Sequence, residues 1–420
     1  MTTKERGSYM RRLYLVLCIV LLVAGCNKTH PPGPTCNLHW LHEAQVNISP
    51  TSAPPAGDES TILREKAITT KSSPSILLLR EKISKSFEKR HKKKLKAIKP
   101  SEASFNVLML SAGGQYGAYG SGFLKGWSEN VKLTPRDSID IVTGVSTGAM
   151  MATFAFLGSS DNPVVKAKYD DRLKEEYTTL HDEDVFRHRS FIELLWANSI
   201  YDSEPLRKRF ENIITESLLD ELVAEADKND RQLFVGAVNT DSGEFEVFDL
   251  VAIARDKSQD RRACYTAAVL ASAAIPATFD AIFINGNMYI DGGIRKQGFF
   301  VEQVAKALPN VRVKKIFGIL HGNLDVPPAK PDNNLIGVIS RTVSITNDEL
   351  LIDSAFYVDT KGKDNGFTRF WTAPVKSTCE TTSPEGHKFD PVFGTCLWNK
   401  GYDDAKQPKP WKTLDDLLQQ

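Results

Sequence analysis

The stretch Ile139-Asp140-Ile141-Val142-Thr143-Gly144-Val145-Ser146-Thr147-Gly148-Ala149-Met150 constrains the fold more than any other in this chain. A β-branched apolar run ends in Gly-x-Ser-x-Gly, and the Ala/Met/Phe segment behind it has the composition of a helix. A strand turning this sharply into a helix needs small residues at Gly144 and Gly148 to admit the tight backbone. Such an elbow would expose Ser146 Oγ above the helix N-terminus, where free amides and the helix dipole favour negative charge developing in acyl transfer. Taken alone, the pattern also describes an ordinary Gly-rich strand-to-helix turn, since its positions are loosely specified.

Two further stretches bear on that choice. Asn106 to Leu110 reads as a buried strand and runs into Ser111-Ala112-Gly113-Gly114-Gln115-Tyr116-Gly117, followed by a helix with Phe123, Leu124 and Trp127. A dinucleotide-binding turn is excluded by Gln115, which stands two places after Gly113, and a P-loop by the lack of Gly-Lys-Ser/Thr. What remains is a loop whose N–H groups could bind an oxyanion. Downstream, Asp291-Gly292-Gly293 follows the strand-like Asn287-Met288-Tyr289-Ile290; by itself it reads as a β-turn.

In this order the motifs resemble the patatin-like phospholipases, which carry a Gly-rich oxyanion loop, a Gly-x-Ser-x-Gly nucleophile and an Asp-Gly-Gly or Asp-Gly-Ala. The resemblance covers roughly residues 106–322 and includes the lead-in Ala271-Ser272-Ala273-Ala274-Ile275-Pro276. It implies a three-layer α/β hydrolase fold with a mostly parallel central sheet. It also implies a Ser–Asp dyad: Ser146 as nucleophile, Asp291 as general base, and Gly113, Gly114 and Thr147 amides around the oxyanion. Gly117, Gly144, Gly148, Gly292 and Gly293 support the motifs. The chain departs from the family at Ala112 and Tyr116, where a third Gly and an Arg are usual, and at Arg295-Lys296-Gln297-Gly298, a difference expected to concern loop packing. The expected function is a lipid esterase of phospholipase A type that acts on phospholipids or related lipids. Two alternatives stand beside it: a Ser-His-Asp esterase using His321 at a strand end, and a catalytically degenerate, membrane-tethered lipid-binding protein.

The chain is expected to comprise a leader (1–25), a tether with a basic segment (26–104), the hydrolase domain (105–375) and a polar, loop-rich C-terminal extension (376–420). In the leader, Lys4, Arg6, Arg11 and Arg12 precede the apolar run Leu13 to Val23, too short to span a bilayer comfortably. Val23-Ala24-Gly25-Cys26 resembles a bacterial lipobox, which implies a diacylated Cys26, a membrane anchor and a periplasm-facing or outer-membrane location. Leu79, Ile83, Phe87, Leu95 and Ile98 recur at helical spacing among Lys and Arg over 80–96; this basic helix either lies on anionic lipid or packs one stripe on the domain. With 53 Lys+Arg against 52 Asp+Glu, bulk charge points to no nucleic-acid partner. Cys379 and Cys396 bracket a polar loop and form the natural disulfide of an oxidising compartment, whereas Cys264 reads as a core thiol. No spacing suggests a metal site and no cofactor is expected; His30, His39 and His42 read as solvated linker residues.

Overall fold

The computed structural model describes residues 30–38, 41–42, 74–95, 104–130, 136, 139–194, 197–311, 313–326, 328–375, 377–381 and 389–419. The leader, Cys26 and the Lys92–Lys96 side chains lie outside the described residues.

A nine-stranded sheet organises the domain. Its strands are β1 (Leu41–His42), β2 (Ser104–Leu110), β3 (Ile141–Val145), β6 (Gln232–Asn239), β7 (Phe245–Asp249), β8 (Ile282–Ile284), β9 (Asn287–Asp291), β10 (Val313–Ile319) and β11 (Phe367–Thr372); β4 (Arg187–His188) and β5 (Tyr201–Asp202) pair separately. The order is β1-β7-β6-β3-β2-β10-β11, and the run β6 to β11 is parallel throughout. β7 folds back antiparallel on β6 through the turn at Gly243, as Asp241-Ser242-Gly243 leads one to expect. β9 also runs antiparallel to β6, with Tyr289 opposite Asn239 and Asp291 opposite Ala237.

Side-chain alternation along the strands builds the three layers. Leu108 and Leu110 of β2 enter one buried cluster, and Val107 and Met109 enter the other. The first cluster is covered by α2 (Gly117–Glu129), α3 (Thr147–Leu157), α4 (Pro163–Thr178), α5 (Glu204–Ile213), α6 (Arg261–Ser272) and α8 (Pro391–Lys406). The second is covered by α1 (Pro74–Leu95) and α7 (Leu335–Asp364). The α/β class and mostly parallel sheet expected from the sequence are therefore those of the molecule.

Several local expectations are corrected. The helix that starts at Glu204 stops at Ile213, and Thr215 starts a second one by accepting from the Leu218 amide at 3.2 Å. The segment after 376 is not mainly loop: α8 packs on α2 so closely that a Cβ at Gly401 would lie 2.0 Å from the Tyr119 carbonyl. Cys264 is no free thiol but bridges Cys36, while Cys379 pairs with Cys396 as expected. Residues 30–38, assigned to a tether, are docked: Cys36 N donates to Asn285 at 2.7 Å, and Pro32 and Pro34 carbonyls accept from Gly286 and Asn285. His30 is exposed, as expected, with its ring 5.4 Å from that of Phe283; the side chains of His39 and His42 lie outside the described residues. On α1, Leu79, Ile83 and Phe87 are buried, Lys82 pairs with Asp249 and Lys89 with Asp230. Through Lys89 this helix packs one stripe on the domain and spends two cations on its carboxylates.

Candidate active site

The strand-to-helix elbow forms where expected. Ser146 has φ 55° and ψ −123°, a left-handed-side conformation uncommon for a residue with a side chain. Close approach on both sides explains its glycines: a Cβ at Gly144 would stand 2.3 Å from the Gly148 carbonyl, and one at Gly148 2.3 Å from that of Leu110. The strained backbone is held by Ser272, which the sequence places in the lead-in without a role. Ser272 Oγ accepts from Ser146 N at 3.0 Å and donates to the Gly236 carbonyl at 2.6 Å.

Asp291 ends β9, where the Ala274 carbonyl accepts its amide at 2.8 Å. The lead-in motif thus supplies both the hold on Ser146 and the seat of Asp291. The carboxylate accepts the Gly293 amide at 2.7 Å, and the Ser146 side chain is near enough to act on it. It is buried, and that desolvation raises its pKa to about 7, against the opposing pull of those two groups.

Gly113 has φ 147°, and a Cβ there would fall 1.4 Å from the His321 carbonyl, so this loop position requires glycine. A Cβ at Gly114 would meet open space, and Gly114 lines the same pocket as Ser146 and Thr147. The departures from the usual motif are accommodated without entering that pocket. Ala112 packs 3.0 Å from where a Cβ would stand on Gly293. Tyr116 stacks edge-on with Phe393 and accepts from Asn323 at 3.3 Å. Gln297 docks the loop after Asp291 on α7, its N donating to Ser354 and its Nε2 to the Asn347 carbonyl. The loop-packing reading of that departure agrees with this contact.

The pocket above Ser146 is walled by Met150, Phe154, Val185, Phe210 and Phe279, with Glu176 and Arg209 paired at 2.8 Å among its lining. Apolar walls around a few polar groups are the composition of a site for a small apolar ligand or an acyl chain. Tyr177 also lines it, its hydroxyl 2.7 Å from Thr147 Oγ1. Tyr177, Glu176 and Arg209 come from the helical region between β3 and β6, and no motif marks them.

His321 is elsewhere. It is fully buried, its Nδ1 donates to the Ser111 carbonyl at 2.7 Å, and its Nε2 faces Gly120, where a Cβ would lie 2.1 Å away. Burial pushes its pKa down to about 4. The Ser146 side chain acts on Asp291, and the imidazole is not among the groups that act on that carboxylate. Among the described residues no cluster of His, Cys, Asp and Glu could hold a metal ion.

A sharp serine elbow facing a buried carboxylate at the C-terminal ends of parallel strands, beneath an apolar pocket, defines a hydrolase-type α/β site. Residues 108–303 match the family model of the patatin-like phospholipases, and the chain carries a patatin-like phospholipase domain there. Comparison with curated proteins finds no match. Among solved structures, VipD from Legionella pneumophila is similar at 14% identity and a TM-score of 0.31, covering 71% of this chain and 66% of its own.

Proposed function

We propose that this protein is a membrane-anchored lipid acyl hydrolase working through a Ser146–Asp291 dyad. The observation that carries the reading is the Ser146 side chain set on a strained elbow beside a buried carboxylate whose pKa burial has brought to about 7. A free serine is a weak nucleophile, and a carboxylate near its ordinary pKa is a poor base. Asp291 takes the Ser146 proton as Oγ attacks the ester carbonyl, and gives it to the leaving alcohol as the tetrahedral intermediate collapses. The Gly113, Gly114 and Thr147 amides carry the oxyanion. Water, activated by the same carboxylate, then releases the acyl group as fatty acid. The apolar walls of the pocket favour an acyl chain over a short polar acyl group.

The reading makes activity depend on ionised Asp291. With a soluble short-chain p-nitrophenyl ester, kcat/KM is expected to rise with pH along a limb of apparent pKa about 7 and then level off. The pKa is raised on folding, so ionising Asp291 opposes folding. The native state binds this proton more tightly than the unfolded chain, and stability falls as pH climbs from the ordinary carboxylate range to about 7. Asp291→Asn should therefore gain stability over the parent at pH 8 relative to pH 4, while losing activity. A flat rate profile between pH 5 and pH 8 would count against Asp291 as the base.

Anchoring through an acylated Cys26 on a periplasm-facing or outer membrane is part of the same proposal, supported by the charge, apolar run and Cys position of the leader. A fatty-acid analogue fed to cells should label the parent and not Cys26→Ser; equal labelling of both would remove the anchor.

A further inference from the structure

The helix α7 divides at Leu351. Beyond it, Leu351, Ala355, Val358 and Gly362 are buried on one side against the domain. Before it, none of residues 331–350 is buried, although the segment is rich in apolar residues. Leu335 is 75% exposed, Val338 54% and Ile345 41%. At about 100° per residue, Leu335, Ile336, Val338, Ile339, Val343 and Ile345 share one half of the helix circumference. Ser340, Ser344 and Asn347 lie on the opposite half, the side on which Leu351, Ala355 and Val358 meet the body. Gln297 donates to the Asn347 carbonyl from that side at 2.8 Å. A surface helix ordinarily turns its apolar stripe to the core; this one leaves its stripe uncovered, and Ser340 and Ser344 on the other side are exposed as well.

The exposed half also stands at a particular end of the molecule. The parallel strands run toward Ser146, Gly113 and His321, and α7 runs back along them. A Cβ at Gly362 would touch Ile316 within β10, and one at Gly322, past the end of β10, would touch Leu351. The stretch from Asn347 to Leu335 therefore reaches about 18 Å further on the catalytic side. The N-terminal segment arrives at the same end: β9 extends past the last residue of β6, and its turn at Asn285–Gly286 receives Pro32 and Pro34. Cys26 precedes His30 by no more than about 14 Å of extended chain. The basic helix α1 instead brings Lys89 to Asp230, before the start of β6 and at the opposite end.

We propose that the outward half of α7, Leu335 to Ile345, is an interfacial wedge that enters the acyl-chain layer of a bilayer and seats the catalytic end of the sheet on it. The purpose assigned to the wedge rests on the lipid-ester reading above. Lipid is the occupant because the apolar half from Leu335 to Ile345 carries no ionic group and Thr342 as its one polar residue, with Glu349 on that half a turn further on, and because the proposed acylated Cys26 is leashed to this end. Among the described residues no helix is long and apolar enough to cross a membrane, and a helix lying about 5–10 Å deep in one leaflet needs no more than one apolar face.

The test uses the full chain with Val338→Cys or Ser340→Cys carrying an environment-sensitive fluorophore, the identically treated parent serving as blank. On mixing with vesicles of phosphatidylethanolamine and phosphatidylglycerol, the probe at position 338 should brighten several-fold and be quenched by spin-labelled acyl chains, while that at 340 changes little. In the unlabelled protein, Val338→Glu with Ile345→Glu should lower hydrolysis of vesicle phospholipid by roughly tenfold or more and leave a soluble short-chain ester unaffected. An unresponsive probe at 338, or one that responds to protein concentration without vesicles because a second copy covers the face, overturns the wedge. If the parent hydrolyses neither ester, the lipid-ester reading fails while the probe still decides the wedge.

Discussion

Ser146→Ala and Asp291→Asn should each lower hydrolysis of a p-nitrophenyl ester by roughly 10⁴-fold or more, with the fold retained, whereas His321→Ala should keep activity within about tenfold of the parent. The serine and the carboxylate act as one unit, so the double variant is expected to be little worse than either single one. The histidine is set apart by geometry: its Nδ1 is committed to the Ser111 carbonyl and its Nε2 to the surface of α2 at Gly120. A folded His321→Ala protein as inactive as Ser146→Ala would replace the dyad by a Ser-His-Asp arrangement. Activity retained in Ser146→Ala would place the chemistry elsewhere and leave a lipid-binding site at the elbow.

The second large effect concerns stability. Arg136 and Asp170 form a fully buried ion pair at 2.6 Å, and Arg136 also donates to Ser128 at 2.6 Å and to the carbonyls of Leu124 and Ala155. One guanidinium thereby ties α2, α3 and α4 together. Removing one member of such a pair leaves the other charge buried without its partner, which costs about 3–5 kcal/mol, while replacing both by apolar groups of similar volume is often close to neutral. Arg136→Met should therefore lower the urea midpoint strongly, and Arg136→Met with Asp170→Leu should recover most of the loss. If the double variant is as unstable as the sum of the two single ones, the pair is not the unit that matters and the carbonyl bonds of Arg136 are.

The parts of the site that were legible in the sequence are those fixed by backbone geometry. Gly144, Gly148 and Gly113 stand where a Cβ would collide with main-chain atoms, so residue type alone reveals the turn. The parts that were not legible come together through tertiary contact. Ser272 looks like any small residue of an Ala-rich helix until Ser146 N and the Gly236 carbonyl are found on either side of it. Tyr177 reaches Thr147 from a helix whose spacing says nothing about the pocket. The partnership of Cys36 with Cys264 spans 228 residues and joins a segment that reads as linker to one that reads as core. Closing so long a loop restricts the unfolded chain by about 5 kcal/mol in the chain-entropy account, enough to hold a Pro-rich strap on the domain. The long helix α7 is continuous from Leu335 to Asp364, and only the burial of Leu351, Ala355 and Val358 reveals which part of it meets the body.

The central claim, that Ser146 is an acyl-transfer nucleophile activated by Asp291, is tested most directly by covalent trapping. The full chain is treated with a fluorophosphonate bearing an alkyl chain, digested, and the modified residue located by mass spectrometry. The dyad predicts a single phosphonylated serine at position 146, formed at a rate that rises with pH through about 7, unchanged in His321→Ala and greatly slowed in Asp291→Asn. Modification of another residue, or of Ser146 at the same rate when Asp291 is Asn, would contradict it.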